Sequence, residues 1–275
     1  MNKIFSLSEV RELAPYIEEV ILDRIEAQQV ERFESLGNAC LLSFDWYDIF
    51  DQKADPSQII IYFSKENIFF ICEEKRLLKK VQTIVKEFTT NEKVLSSFFA
   101  ELMKPDMDYL EKLEEQIAEM ENNLLINSKA ECTQGIILFR KELIRLKKYY
   151  EQLNSIFEDI TENENNLITQ ENLRHFVVLD NRVDRLFSTV LNLRDFVSQV
   201  REAYQAQIDI EQNSVMKVFT VITSIFMPLT LIVGWYGMNL KMPEFSWNLG
   251  YPFVIGLSII VCIICIIIFK KKKWF

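Results

Sequence analysis

The chain has 275 residues, 49% of them hydrophobic, and carries a formal net charge of -9 from 40 acidic against 31 basic side chains. An acidic body disfavours nucleic acid, whose phosphates need a basic surface, and suits a cation as ligand or substrate. A single histidine, His175, excludes a His-based metal site or catalytic triad within one chain, and five scattered cysteines exclude a disulfide framework.

Residues Met1 to Val10 include charges and no apolar segment, so no signal peptide is expected and the chain is expected to begin in the cytoplasm. Leu7 to Glu12 has a helical pattern. Cys40 to Phe50 is rich in aromatic and branched residues, as is Ile59 to Cys72. The second run breaks at Ser64-Lys65-Glu66-Asn67, which predicts a hairpin of Ile59–Phe63 and Ile68–Cys72. Glu74 to Phe88 again reads as helix. Residues 1–104 therefore form a small cytoplasmic α/β domain within an α+β chain.

After Pro105 the pattern is entirely helical. Asp106 to Leu125 repeats apolar residues at Leu110, Leu113, Ile117, Met120 and Leu124. Its acids Glu111, Glu114, Glu115, Glu119 and Glu121 read as a solvated face rather than a cation site. Gln134 to Phe157 is a second helix, and Asn165 onward runs unbroken toward the C-terminus. Residues 105–214 form a helical stalk. Within it Asp180 and Asp184 lie one turn apart and suit a shared ion, although Arg182 and Arg185 make salt bridges an equal alternative.

Val218 to Trp235 is an uncharged run of eighteen residues, and Tyr251 to Phe269 is an isoleucine-rich run of nineteen. Each approaches the roughly 20 apolar residues a membrane helix needs. The segment 215–275 thus divides into a first span at about 215–236, an outer loop 237–250, a second span 251–269 and a basic tail 270–275. The lysines Lys270 to Lys273 hold the C-terminus on the cytoplasmic side, and two spans return the chain to the side on which it started. Cys262 and Cys265 have C-x-x-C spacing, but inside an apolar helix they read as small hydrophobes.

The first span carries a stripe. Asn213, Met216, Thr220, Thr223, Met227, Thr230 and Gly234 follow at alternating spacings of three and four, one face of a helix. The stripe extends backwards through Asp209, Ala206, Glu202, Gln199, Asp195 and Asn192. Small residues and threonines also suit a helix–helix seam in lipid. The continuation as acids and amides favours a water-filled pore, which requires a ring of copies. Methionines in such a stripe suit apolar constrictions that gate by dewetting, and Pro228 removes one helical hydrogen bond. No P-loop, G-x-S-x-G, H-E-x-x-H or EF-hand pattern is present, so no enzyme is expected.

Met216-Lys217-Val218-Phe219-Thr220, Phe226-Met227-Pro228-Leu229-Thr230 and Tyr236-Gly237-Met238-Asn239 closely resemble the CorA family of magnesium channels. Met242-Pro243-Glu244, Trp247, Gly250-Tyr251-Pro252 and the closing Lys-Lys-Lys-Lys-Trp274-Phe275 fit the same pattern. The resemblance is dense over the last sixty or so residues and covers the rest only in layout. It implies a funnel-shaped homopentamer in the inner membrane, surrounded by lipid, that admits Mg2+, with cobalt or nickel as further ions, and closes when cytoplasmic Mg2+ bridges acids between subunits. It implies a filter of Gly237, Met238 and Asn239, with Gly237 permitting a tight turn. It further implies a polar ring at Asn213 and constrictions at Met216, Phe219 and Met227. Candidates for the regulatory acids are Asp180, Asp184, Glu202 and Asp209. The loop departs from the family in being about one residue shorter and in carrying Lys241 near the mouth, where Glu244 is a candidate partner. A zinc transporter of the same superfamily shares Gly-Met-Asn and stands as the alternative, followed by a non-conducting metal-sensing scaffold.

Overall fold

The computed structural model describes residues 4–51, 54–88, 90–124, 129–238 and 249–272. The chain divides into two compact units, Met1–Arg201 and Glu202–Phe275.

The first unit is built on a five-stranded sheet of order β1-β5-β4-β3-β2. Its strands are β1 (Ile4–Phe5), β2 (Phe33–Ser35), β3 (Ala39–Trp46), β4 (Ser57–Ser64) and β5 (Ile68–Ile71). The expected hairpin is β4–β5, antiparallel with Phe63 opposite Ile68 and Tyr62 opposite Phe69. Its turn closes where the sequence breaks: the Ser64 N–H donates to the Asn67 carbonyl at 2.8 Å, and the Asn67 N–H to Ser64 Oγ at 2.9 Å. The β2–β3 turn has Gly37 at φ 76, in the left-handed region that favours glycine.

Both sheet faces are covered, which explains why β3, β4 and β5 read as nearly continuous apolar runs. On one face Leu41, Ile60, Phe69 and Ile71 pack with Val10 and Leu13 of a 3-10 helix (Leu7–Leu13) and with Leu22 and Ile25 of α1 (Glu19–Glu26). On the other face lie α3 (Asn91–Leu102) and α5 (Lys129–Glu162), while α2 (Lys75–Glu87) leads into α3. Aromatic rings join these layers: Phe44 to Phe99, Phe70 to Phe98 and Phe99 to Phe157, with centroids 4.9–5.8 Å apart.

The helix α4 (Asp106–Asn122) pairs with α5, which is longer at both ends than the Gln134–Phe157 expected from periodicity. Gly135 marks their close approach, because a Cβ there would lie 2.8 Å from Met120 Sδ. Two carboxylates are buried along this helix pair. Glu142 on α5, 7% exposed, accepts from Tyr47 Oη (2.7 and 2.9 Å) and from Tyr109 Oη on α4 (2.6 Å). Asp106, 2% exposed, accepts from Tyr150 Oη at 3.0 Å. Burial first, then the neighbouring Asp106 charge, raises the Tyr150 hydroxyl well above its ordinary range, so it remains a donor.

The helix α6 (Gln170–Tyr236) begins in the first unit and continues into the second. Its N-terminus is capped from α3: Glu92 Oε2 accepts from the Thr169 N–H (3.3 Å), Thr169 Oγ1 (2.8 Å) and Asn172 Nδ2 (2.5 Å). A carboxylate there satisfies a free N–H group and complements the positive end of the helix dipole.

Candidate ion pathway

The second unit consists of α6 from Glu202 to Tyr236 and α7 (Gly250–Lys271). Both are long and apolar enough to cross a membrane, with only 6% and 0% of their most apolar windows buried. The core helix of a soluble protein is mostly buried, so these helices present apolar surface that needs lipid or further copies of the chain. Lys270, Lys271 and Lys272 are exposed at the end of α7.

The two faces of α6 differ. Cys265 Sγ on α7 lies 3.8 Å from the Ser224 carbonyl, which marks the side of α6 turned toward α7. Val221, 5% exposed, and the half-buried Ile225, Pro228, Leu229, Ile232 and Tyr236 share that side. Asn213, Met216, Thr220, Thr223, Met227, Thr230 and Gly234 are all exposed. At 100° per residue their mean direction lies about 150° from the buried side. Phe219, also exposed, borders the stripe.

Hydrogen bonding gives the stripe a definite polarity that residue spacing alone does not reveal. Thr220 Oγ1 donates to the Met216 carbonyl (2.7 Å), Thr223 Oγ1 to Phe219 (2.6 Å) and Thr230 Oγ1 to Phe226 (2.8 Å). Each hydroxyl proton is spent on the backbone, so each oxygen offers only acceptor lone pairs outward. Acceptor oxygens suit the outward-pointing hydrogens of a hydrated cation and repel an anion.

At the end of α6 the Gly237 N–H donates to the Val233 carbonyl at 2.8 Å and the Met238 N–H to Trp235 at 3.4 Å. Gly237 is not in the left-handed region, which among described glycines is occupied by Gly37. Crowding is what requires glycine: a Cβ at 237 would lie 2.9 Å from the Val233 carbonyl oxygen. Gly234 differs, since a Cβ there would meet nothing within 4 Å. Met238 is exposed. Asn239, Lys241 and Glu244 lie outside the described residues.

The candidate regulatory acids fall into both units. Asp180 and Asp184 belong to the first, Glu202 and Asp209 to the second, where Gln205 Nε2 donates to Asp209 Oδ1 at 3.2 Å. The carboxyl of half-buried Asp180 is raised by burial first, then by the charges of Asp184 and Glu158. Among the described residues no salt bridge joins Asp180 or Asp184 to Arg182 or Arg185. Arg182 donates to the Lys104 carbonyl at 3.4 Å, and Asp184 accepts from Asn154 Nδ2 at 3.0 Å. Among the described residues no three His, Cys, Asp or Glu side chains group as a metal site within one chain. Sequence reasoning missed Asn154 and Glu158, which stand on α5 and carry no local signal.

Comparison with known proteins adds a family likeness. The profile of a family described as CorA-like Mg2+ transporter protein matches residues 6–271. The cobalt/magnesium transport protein CorA of Thermotoga maritima is 29% identical over 273 residues, covering 94% of this chain and 76% of that protein. The magnesium transport protein CorA of Helicobacter pylori strain 26695 is 30% identical over 223 residues, covering 78% of this chain and 66% of that protein. Among solved structures, the complete CorA magnesium transporter of Methanocaldococcus jannaschii superposes with a TM-score of 0.81 at 19% identity, covering 98% of this chain and 87% of that one. The ZntB cytoplasmic domain of Vibrio parahaemolyticus gives 0.61 at 16% identity, covering 73% and 84%. At these identities the structural likenesses establish the fold: a small α/β domain, long helices and two C-terminal apolar helices.

Proposed function

The chain belongs to the family of CorA-like Mg2+ transporter proteins, so it is a membrane transporter, and from that premise we propose that it is the subunit of a passive Mg2+ influx channel of the inner membrane. The observation that carries this reading is the exposed stripe of α6 from Asn213 to Gly234, turned away from α7 and lined by threonine oxygens that only accept. Two apolar helices cannot enclose a pore, so a ring of copies, taken as five, places that stripe around an axis. Residues 1–104 and 105–214 act as cytoplasmic α/β domain and stalk, residues 215–275 as the pore domain, and both termini are cytoplasmic.

In this reading Gly237, Met238 and Asn239 form the outer filter. Mg2+ gives up its water reluctantly. A ring of Asn239 amide oxygens accepts hydrogen bonds from the hydrated ion without stripping it. Asn213 supplies a second amide ring at the inner end, and Met216, Phe219 and Met227 form apolar constrictions between the polar rings. The membrane potential drives entry, worth about 2.3 kcal/mol per elementary charge at 100 mV. Mg2+ closes the channel from the cytoplasm by bridging acids of neighbouring copies, with Asp180, Asp184, Glu202 and Asp209 as candidates. The Asp180 carboxyl, raised by burial first and then by the charges of Asp184 and Glu158, supports this, because such a group gains from a shared cation. In the outer loop, Glu244 offsets Lys241.

Zinc transport is the second reading, favoured by the likeness to the ZntB cytoplasmic domain. It is the weaker one, since the curated relatives above are named for magnesium and cobalt. Purified protein in liposomes decides between them. We expect potential-driven influx of Mg2+, independent of a proton gradient. Zinc influx coupled to protons, with no Mg2+ influx, would overturn the magnesium reading.

A further inference from the structure

The methionines of α6 combine exposure, position and chemistry in a way that transport alone does not use. Met103 is fully buried, Met107 is 39% exposed and Met120 is half-buried, whereas Met216 and Met227 are 61% and 68% exposed. Both lie on the stripe, eleven residues apart, which is three helical turns along one face. Both have threonine oxygens at helical neighbour positions: Thr220 lies four residues after Met216, and Thr223 and Thr230 flank Met227. These oxygens have spent their protons on the backbone and offer acceptors to water beside each thioether whenever the pore is wet. A hydroperoxide donates hydrogen bonds as water does and is small enough to follow the same path.

We propose that Met216 and Met227 are oxidation sites through which hydroperoxides loosen closure of the pore; the proposal rests on the channel reading above. A thioether lone pair attacks one peroxide oxygen and the O–O bond breaks. The sulfur gains that oxygen and loses two electrons; the proton of the transferred oxygen passes to the departing one, which leaves as water from hydrogen peroxide or as an alcohol from an organic hydroperoxide. The sulfoxide is a strong acceptor where an apolar group stood. An apolar constriction closes because water inside it lacks partners. A ring of sulfoxides supplies those partners, so the oxidised constriction stays wet under conditions that empty the native one. Leucine has similar bulk and cannot be oxidised in this way, which makes it the diagnostic replacement.

The test uses full-length protein in liposomes, preloaded with Mg2+ at the level that closes the untreated channel. Hydrogen peroxide is the probe, and mass spectrometry reads sulfoxide at each methionine. The quantity compared is influx after treatment divided by influx before it, within each variant. For wild type and Met107→Leu we expect sulfoxide at Met216 and Met227 and a rise on the order of tenfold, equivalent to about 1.4 kcal/mol in the closed–open balance. For the double variant Met216→Leu, Met227→Leu the ratio stays near one. Complete oxidation of both sites without a rise would overturn the proposal, as would an equal rise in the double variant. So would sulfoxide at Met107 with none at 216 and 227. Untreated wild type that conducts no Mg2+ at any concentration would overturn the channel reading itself.

Discussion

We expect Asn239→Ala to abolish Mg2+ influx while the oligomer still assembles. Hydrated Mg2+ presents water hydrogens outward, and an alanine ring has nothing to accept them. A hydrogen bond to a charged partner contributes about 1.5–3 kcal/mol. Losing two such bonds at the mouth, about 3–6 kcal/mol, lowers occupancy by roughly a hundredfold to ten-thousandfold. Assembly should survive, because the exposed apolar surfaces of α6 and α7 are untouched. Flux in liposomes and size by light scattering in detergent check both halves. Influx near the wild-type level would remove Asn239 from the filter. Asn239→Asp makes a useful partner variant, since a ring of carboxylates should hold the ion tightly and slow its release.

Gly234→Leu is the second large effect, and it separates fold from function. Glycine inside a helix costs about 1 kcal/mol relative to alanine, so its place in α6 needs a reason. Contact within the chain is not that reason, as an added Cβ meets nothing within 4 Å. Gly237 gives the contrast, with its Cβ position crowded against the Val233 carbonyl. If Gly234 keeps the bore open, a leucine from each copy fills it. We expect flux to fall by more than tenfold with the thermal midpoint in detergent unchanged or raised, whereas Gly237→Ala lowers both. Normal flux through Gly234→Leu would place position 234 away from the bore.

Much of this was legible in the sequence because the membrane segments obey one constraint. Lipid admits no exposed charge without cost, so Val218–Trp235 and Tyr251–Phe269 stand out by composition alone, and the structure places them in α6 and α7. The stripe was legible because helical spacing is fixed. The β4–β5 turn was legible because Ser64 and Asn67 close it with their own hydrogen bonds. The missed strands and long-range contacts share a physical cause. Strands β1 and β2 have two and three residues, too few for alternation to show, and β1 pairs with distant β5. The buried Glu142 and Asp106 resemble the exposed acids of α4 until Tyr47, Tyr109 and Tyr150 arrive from elsewhere in the chain. Glu92 caps α6 across 77 residues, a contact no local pattern encodes. The polarity of the stripe lay between. The pairs Met216/Thr220, Phe219/Thr223 and Phe226/Thr230 are visible in sequence, but the hydroxyl direction requires the helix.

The central claim is that one face of α6 lines water and the other does not. Cysteine accessibility tests it most directly. Cys40, Cys72 and Cys132 are buried, and burial pushes the Cys40 thiol up to about 12 and the Cys72 thiol up to about 11, so neither competes for reagent. Only Cys262 and Cys265 need replacing by alanine to give a quiet background. Single cysteines are then placed along α6 in liposomes and treated with a charged, membrane-impermeant thiol reagent. Thr220→Cys, Thr223→Cys, Met227→Cys and Thr230→Cys should react and block Mg2+ influx, while Val221→Cys, Ile225→Cys, Leu229→Cys and Ile232→Cys stay unmodified. Reaction without regard to face, or confined to the second set, would contradict a pore lined by Asn213 to Gly234.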